Sequence, residues 1–202
     1  MSEMWNIEQS WFDKGVRMIC GVDEAGRGPL AGPVCAAAVI LPANVEIPGL
    51  NDSKKLSDKK RRELFPIIQE TAIAYAIAMV DHETIDSINI LQATYLAMKN
   101  AIAELSVRPE LALVDGNRSS DFGVPVETVV HGDSLSASIA AASVLAKVTR
   151  DDYMLQMAQA YPGYGFEIHK GYGTKAHYEA LRNLGASPIH RMTFLKKFYG
   201  TE

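Results

Sequence analysis

The sequence predicts an α/β fold in which a mixed five-stranded sheet is flanked by helices and followed by a C-terminal helical extension. Two observations predict it. Strand-like stretches crowd the first 80 residues, and strand-like and helix-like patterns alternate after that, with no internal repeat or low-complexity run between them. At 202 residues the chain has the length of one domain and can bury a sizeable core.

Residues 1–16 mix aromatic and polar side chains at no clear period and read as a short arm laid on the domain. The first strand is expected near 17–23 and the second near 33–41, where a nearly unbroken apolar run implies cover on both faces. Pro42, Pro48 and Gly49 mark a loop, and Ser57 is a good N-cap for a helix through Lys59, Arg62 and Leu64. Pro66 lies inside that pattern at a cost of roughly 3 kcal/mol, so a kink or an early stop is expected there. A third strand near 72–80 alternates Ile73, Tyr75, Ile77 and Met79 with alanines, a period of two. After Asp86 and Ser87, Leu91, Thr94, Met98, Ala101 and Leu105 recur at helical spacing until Arg108-Pro109. The fourth strand, 111–114, runs into Asp115-Gly116-Asn117, and the fifth, near 126–131, into His131-Gly132-Asp133. The longest helix is expected to begin near Ser136 or Ser138 and to stop at Tyr161-Pro162-Gly163. A Gly/Tyr-rich loop and a helix near 175–184 complete the chain.

Composition, 48% apolar and 22% charged, is that of a soluble globular protein. The net charge of −4 hides an uneven spread. Lys54, Lys55, Lys59, Lys60, Arg61 and Arg62 form a basic block, and His169, His177 and His190 fall near Lys170, Lys175, Arg191, Lys196 and Lys197. An acidic balance therefore does not exclude nucleic acid, because a local basic surface binds phosphates while carboxylates hold metal elsewhere. Cys20 and Cys35 lack zinc or redox spacing and read as reduced core thiols, unless a hairpin brings them face to face. There is no apolar leader, and no run approaches the ~18 residues of a membrane span, so a cytoplasmic protein is expected.

The chemistry concentrates at three acidic strand ends: Asp23-Glu24, Asp115 and Asp133, each beside glycine. Adjacent strand residues point to opposite faces, so Asp23 and Glu24 share a site only if the chain bends there. Gly26 and Gly28 permit a bend and bring main-chain N–H groups close to a ligand, and Arg27 between them suits a phosphate. If the three strand ends meet at one edge of the sheet, four carboxylates converge, and such a cluster needs cations or protons to neutralise it. All-oxygen ligands suit Mg²⁺ or Mn²⁺ rather than zinc, and two such ions ~4 Å apart serve phosphodiester hydrolysis.

A dinucleotide-binding fingerprint fails here, since Gly32 falls one place late, Pro29 and a strand follow where a helix should start, and two carboxylates sit where pyrophosphate would bind. No P-loop occurs.

Six ordered stretches resemble the successive motifs of bacterial ribonuclease HII: Gly-Val-Asp-Glu-Ala-Gly-Arg-Gly-Pro-Leu-Ala-Gly from Gly21, Asn-Asp-Ser-Lys-Lys-Leu-Ser from Asn51, Val-Asp-Gly-Asn from Val114, Gly-Asp-Ser from Gly132, Ala-Ala-Ser-Val-Leu-Ala-Lys-Val-Thr-Arg-Asp from Ala141, and His-Lys-Gly-Tyr-Gly-Thr from His169. The resemblance covers nearly the whole chain. It implies the ribonuclease H fold, with three antiparallel strands followed by two parallel ones, in a single catalytic domain whose core is 17–160 and whose 161–202 segment forms a substrate-binding loop and helix. It also implies endonucleolytic cleavage of RNA in RNA–DNA hybrids and of duplex DNA at an embedded ribonucleotide, by a monomer needing Mn²⁺ or Mg²⁺. The family's metal carboxylates fall on Asp23, Glu24, Asp115 and Asp133. Its Gly-Arg-Gly element, which contacts the 2′-hydroxyl and nearby phosphates, falls on Gly26, Arg27 and Gly28, and its sugar-packing tyrosine on Tyr172. A binding module without catalysis would be expected to lose an acid, and a type 3 ribonuclease H needs an N-terminal domain for which 16 residues leave no room.

Lys54 and Lys55 either bind backbone phosphates or form a solvated basic face. Lys147 and Arg150 face the site or solvent, or Lys147 pairs with Asp151 one turn on. His169 either shuttles a proton, touches phosphate or, as a loop histidine more often does, plays a structural part. Phe194 to Tyr199 docks on the domain or on another protein.

Overall fold

The computed structural model describes residues 3–200; the first two residues of the expected arm and the last two of the chain lie outside them. A 3-10 turn, Glu3–Trp5, leads into α1 (Asn6–Phe12), then β1 (Ile19–Ala25), β2 (Val34–Ile40), α2 (Asp58–Thr71), β3 (Ala74–Val80) and α3 (His82–Ala103). The chain continues through β4 (Leu111–Asp115), β5 (Val126–Val129), α4 (Gly132–Leu135), α5 (Ala137–Ala160), α6 (Phe166–His169), α7 (Lys175–Leu184), a second 3-10 turn (Met192–Leu195) and α8 (Lys196–Tyr199).

The five strands form one sheet in the order β3-β2-β1-β4-β5. β1 pairs antiparallel with β2, and β2 with β3, whereas β1–β4 and β4–β5 are parallel. This is the mixed arrangement expected, with helices on both faces.

Alternation divides the core in two. Val34, Ala36, Ala38 and Ile40 of β2 join Cys20, Val22, Ala112 and Val114 against α3. Cys35, Ala37 and Val39 face α5 and the Leu64 and Ile68 side of α2, while Ile19, Leu111 and Leu113 pack with Ile139 of α5. The alanines at the centre of β2 let both helices approach closely. Gly21 goes further: a Cβ there would stand 2.1 Å from the main-chain carbon of Ser138, so α5 rests directly on the backbone of β1.

Several expectations are corrected. The arm is helical and embedded: Trp5 and Glu8 are buried, and Trp11 donates to Glu127. β1 begins and ends two residues later than expected, so Asp23 and Glu24 lie within it. Pro66 does not stop α2, which runs on to Thr71; it lies on the exposed face, where water can take the carbonyl that loses its partner. α3 starts at His82, capped by Asp81, and is broken at Asn89 (φ 67°), whose side chain accepts from the amides of Leu91 and Gln92 to restart it. β5 ends at Val129, before the expected 131. Cys20 and Cys35 are free and buried on opposite faces, because their registers put Cys20 opposite Ile40 and Cys35 opposite Ala25. The outward residues of β3 include the large ones, with Tyr75 and Met79, and Ile73 just before the strand, half-exposed along the sheet edge and Ala74 and Ala78 turned to the core.

Candidate metal centre and recognition groove

The parallel register of β1 and β4, Val22 opposite Val114, makes Asp23 and Asp115 the next matched pair. Both fall on the α5 face, since Leu111 and Leu113 share that face with Ile19. Asp133 reaches them from α4 rather than from a strand end: β5 stops, His131 turns left-handed (φ 58°), and the Gly132 amide donates to Asp115 Oδ1 at 2.7 Å. One carboxylate oxygen from each of Asp23, Asp115 and Asp133 lies within 4.8 Å of the others. Glu24, on the alternate face of the same strand, stays outside this trio. It lines a neighbouring groove with Asp115, Gly116, Asn117 and Arg118, and its Oε1 lies 3.4 Å from Arg27 Nη1.

Electrostatics follow from the crowding. Burial, then the charges of Glu24 and Asp115, hold the Asp23 carboxyl well above the ordinary carboxylate range. Burial raises Glu24 against the pull of Arg27, and raises Asp133 against that of Lys54, whose Nζ is 3.1 Å from Asp133 Oδ2. Burial opposes the charged Lys54 amine, but Asp133 and Asp23 outweigh it and raise its pKa. Three mutually repelling all-oxygen donors with one lysine beside them fit a hard divalent cation such as Mg²⁺ or Mn²⁺.

A second groove continues from the acids. Asp23, Glu24 and Asp115 share it with Gly26, Arg27, Gly28, Lys54, Lys147 and Tyr172. Tyr172 is half-exposed at its rim, and a Cβ on Gly28 would sit 3.6 Å from the Tyr172 ring.

A family model described as Ribonuclease HII matches residues 20–197. The chain belongs to the ribonuclease HII family. It is 57% identical over 194 residues to the ribonuclease HII of Endomicrobium trichonymphae, an alignment covering 96% of this chain and 92% of that protein. Among solved structures, the ribonuclease H2 of Pyrococcus horikoshii OT3 superposes with a TM-score of 0.73 at 27% identity, covering 87% of this chain and 92% of the other. The RNase HII of Archaeoglobus fulgidus, solved in complex with PCNA, gives 0.70 at 27% identity, covering 87% and 94%. As a member of that family the chain is a divalent-metal-dependent endoribonuclease with the ribonuclease H fold.

The remaining basic residues divide differently from the sequence expectation. Lys55 is exposed and makes no ion pair among the described residues, whereas Arg61 donates to the carbonyls of Ser53 and Leu56 and Arg62 pairs with Asp58 and Asp152. Lys147 both lines the groove and pairs with Asp151 at 2.7 Å. Arg150 faces neither site nor solvent: it is buried and donates to main-chain carbonyls. His169, His177, His190 and Arg191 are likewise interior, so only the lysines of the C-terminal cluster, Lys175, Lys196 and Lys197, stay exposed. His169 is structural, as expected: its Nε2 bonds the Tyr164 carbonyl at 2.8 Å and its Nδ1 accepts from the Gly171 amide. Sequence reasoning counted Arg191 only as one of the C-terminal basic residues and gave it no interior role. Burial, then the like charge of Arg150, lowers its pKa to about 9. Nothing in its local sequence distinguishes it from a surface arginine.

Proposed function

We propose that this protein nicks duplex DNA on the 5′ side of an embedded ribonucleotide and cleaves the RNA strand of RNA–DNA hybrids, leaving 3′-hydroxyl and 5′-phosphate ends. The observation that carries this reading is the continuity of the three-aspartate cluster with a groove lined by Arg27, Gly28, Lys54 and Tyr172. Asp23, Glu24, Asp115 and Asp133 would hold two divalent ions, Mg²⁺ or Mn²⁺, with Asp23 and Asp115 as the central ligands. Such ions, when bound, supply charge neutralisation at the scissile phosphate and an acidified water.

The protein's own groups do the rest. Arg27, Lys54 and Lys55 offer positive charge to the flanking phosphates. Gly28, lacking a side chain, leaves its main chain open to the sugar, and only the 2′-hydroxyl separates RNA from DNA there. The Tyr172 ring packs on the next sugar and favours a deoxyribose without the 2′-oxygen, which makes an RNA-to-DNA junction the preferred site. We read residues 1–202 as one catalytic unit, a monomer acting in the cytoplasm in DNA replication and repair.

The test is a labelled duplex carrying one ribonucleotide, incubated with Mn²⁺ or Mg²⁺, with an all-DNA duplex and the Asp23→Asn variant as controls. A metal-dependent nick 5′ to the ribonucleotide, absent from both controls, is expected. Cleavage of long RNA–DNA hybrids alone would overturn the junction reading.

A further inference from the structure

The segment after β1 is held by a buried guanidinium that has no carboxylate partner among the described residues. Arg191, fully buried, donates from Nη2 to the Gly26 carbonyl at 2.6 Å, from Nη1 to the Arg27 carbonyl at 2.9 Å, from Nε to the Gly32 carbonyl at 2.9 Å, and from Nη2 again to the Pro33 carbonyl at 3.1 Å. Arg150 shares the Pro33 carbonyl, at 3.0 Å, and adds those of Ala31 and Lys170, each at 3.1 Å. Two arginines thus face main-chain carbonyls, and among the described residues neither forms an ion pair.

This has a stereochemical consequence. In a trans peptide the C=O of one residue and the N–H of the next point in opposite directions, and no cis bond occurs among the described residues. With the Gly26 and Arg27 carbonyls drawn inward to Arg191, the N–H groups of Arg27 and Gly28 are turned outward. Both residues are exposed, and neither N–H has a partner among the described residues. Pro29 has no N–H, so the following peptide offers only its carbonyl. Glycine at position 26 is required: its φ is +97°, and a Cβ there would stand 1.9 Å from Arg150 Nε. The Tyr172 side of the groove is tied to the same frame, through Arg150 on the Lys170 carbonyl and the Leu30 amide on that of Gly171 at 2.8 Å.

We propose that Arg191 is a positioning residue for ribonucleotide recognition: by holding two consecutive carbonyls inward it presents the Arg27 and Gly28 N–H groups, at fixed spacing from Tyr172, as donors to the ribonucleotide's 2′-oxygen and adjacent phosphate. This rests on the recognition groove proposed above. A lysine cannot reproduce it, because a single ammonium lacks the planar fork that spans four carbonyls.

The experiment compares Arg191→Lys and Arg191→Ala, each in the cleavage-deficient Asp23→Asn background, for binding to a duplex with one ribonucleotide and to the all-DNA duplex. The preference for the ribonucleotide duplex should fall at least tenfold, while all-DNA binding changes less than twofold; methylguanidinium should restore the preference of Arg191→Ala. In Arg191→Lys with Asp23 intact, kcat/KM at the ribonucleotide should fall tenfold or more. A folded Arg191→Lys that keeps the full preference overturns the proposal. If neither variant folds, amide hydrogen exchange on the Asp23→Asn protein decides: the Arg27 and Gly28 amides must gain protection with the ribonucleotide duplex and not with all-DNA, and absence of that difference overturns it. A protein with Arg191 intact that shows no ribonucleotide preference would instead remove the groove reading, so the two failures are distinct.

Discussion

Asp23 carries the sharpest conflict between stability and function at the level of single residues. Its carboxyl is buried and held high by two neighbouring acids, so the metal-free protein is destabilised by its charge at neutral pH. Asp23→Asn removes that repulsion and should raise the metal-free Tm, by about 2–4 °C for each kcal/mol recovered, while abolishing cleavage and the further rise in Tm that Mn²⁺ gives the unsubstituted protein. Calorimetry with and without Mn²⁺ checks both, and an Asn variant with near-normal turnover would sink the ligand role. Arg27→Ala and Tyr172→Ala should weaken discrimination of a single ribonucleotide more than affinity for duplex; competition binding reads the ratio, and equal losses would argue against recognition. The acids were legible because four carboxylates near glycines at three expected strand ends form a pattern. Which face each acid takes was not, since that depends on β1 running straight through Asp23 and Glu24.

The secondary-structure elements meet most tightly where α5 crosses β1. Gly21→Ala would drive a methyl into the Ser138 backbone, and neither element can yield without moving Asp23, two residues on. A loss of more than about 3 kcal/mol is expected in urea unfolding. The start of α5 depends on the arm: Ser136 caps the helix and donates from Oγ to Glu8 Oε1 at 2.6 Å, and the Ser138 amide donates to the same oxygen at 3.1 Å. Ser136→Ala should cost about 1–2 kcal/mol, measurable as a lower urea midpoint at unchanged slope. The Ser57 cap and the start of α5 near Ser136 were readable, because a hydroxyl precedes each helical pattern, whereas the Thr174 cap of α7 was not read. The early start of α3 was not readable: between His82 and Asn89 few side chains are apolar, and the local pattern gives no period.

Across the whole molecule, Arg191 ties the C-terminal segment to the loop after β1, and buried histidines hold that segment together internally. His177 Nδ1 donates to the Tyr172 carbonyl at 2.9 Å, which leaves its Nε2 to accept from His190 Nε2, also at 2.9 Å; His190 Nδ1 accepts from the Ser187 amide. The arrangement is satisfied only when both rings are neutral. Burial, with His177 adding to it, lowers the His190 pKa to about 4. The unfolded chain takes that proton near pH 6.5, so between the two values it binds more protons than the native state, and stability falls as pH falls through that window. The contribution is of order 3 kcal/mol, full above about pH 6.5 and lost by about pH 4. Glu8 and Asp23, whose pKa values are raised, pull the other way. The prediction is therefore a flatter acid limb for His190→Gln than for the unsubstituted protein, read from urea midpoints across pH 4–7.

What the sequence determined by itself was local: the strand and helix periods, the Ser57 cap, the start of α5 near Ser136, the acidic positions and the motif order that points to ribonuclease HII. These are set within a few residues, by side-chain alternation, cap hydroxyls and glycine. Only the tertiary structure decided that Asp23 and Asp115 face α5 while Glu24 does not, that Asp133 arrives on a one-turn helix, and that Arg150, Arg191 and three histidines are interior. Register between strands distant in sequence fixes the acids. The arginines and histidines are buried because unpaired main-chain carbonyls of the loop after β1 and of the Gly/Tyr-rich loop need donors, and no pattern along the chain records which side chains will supply them.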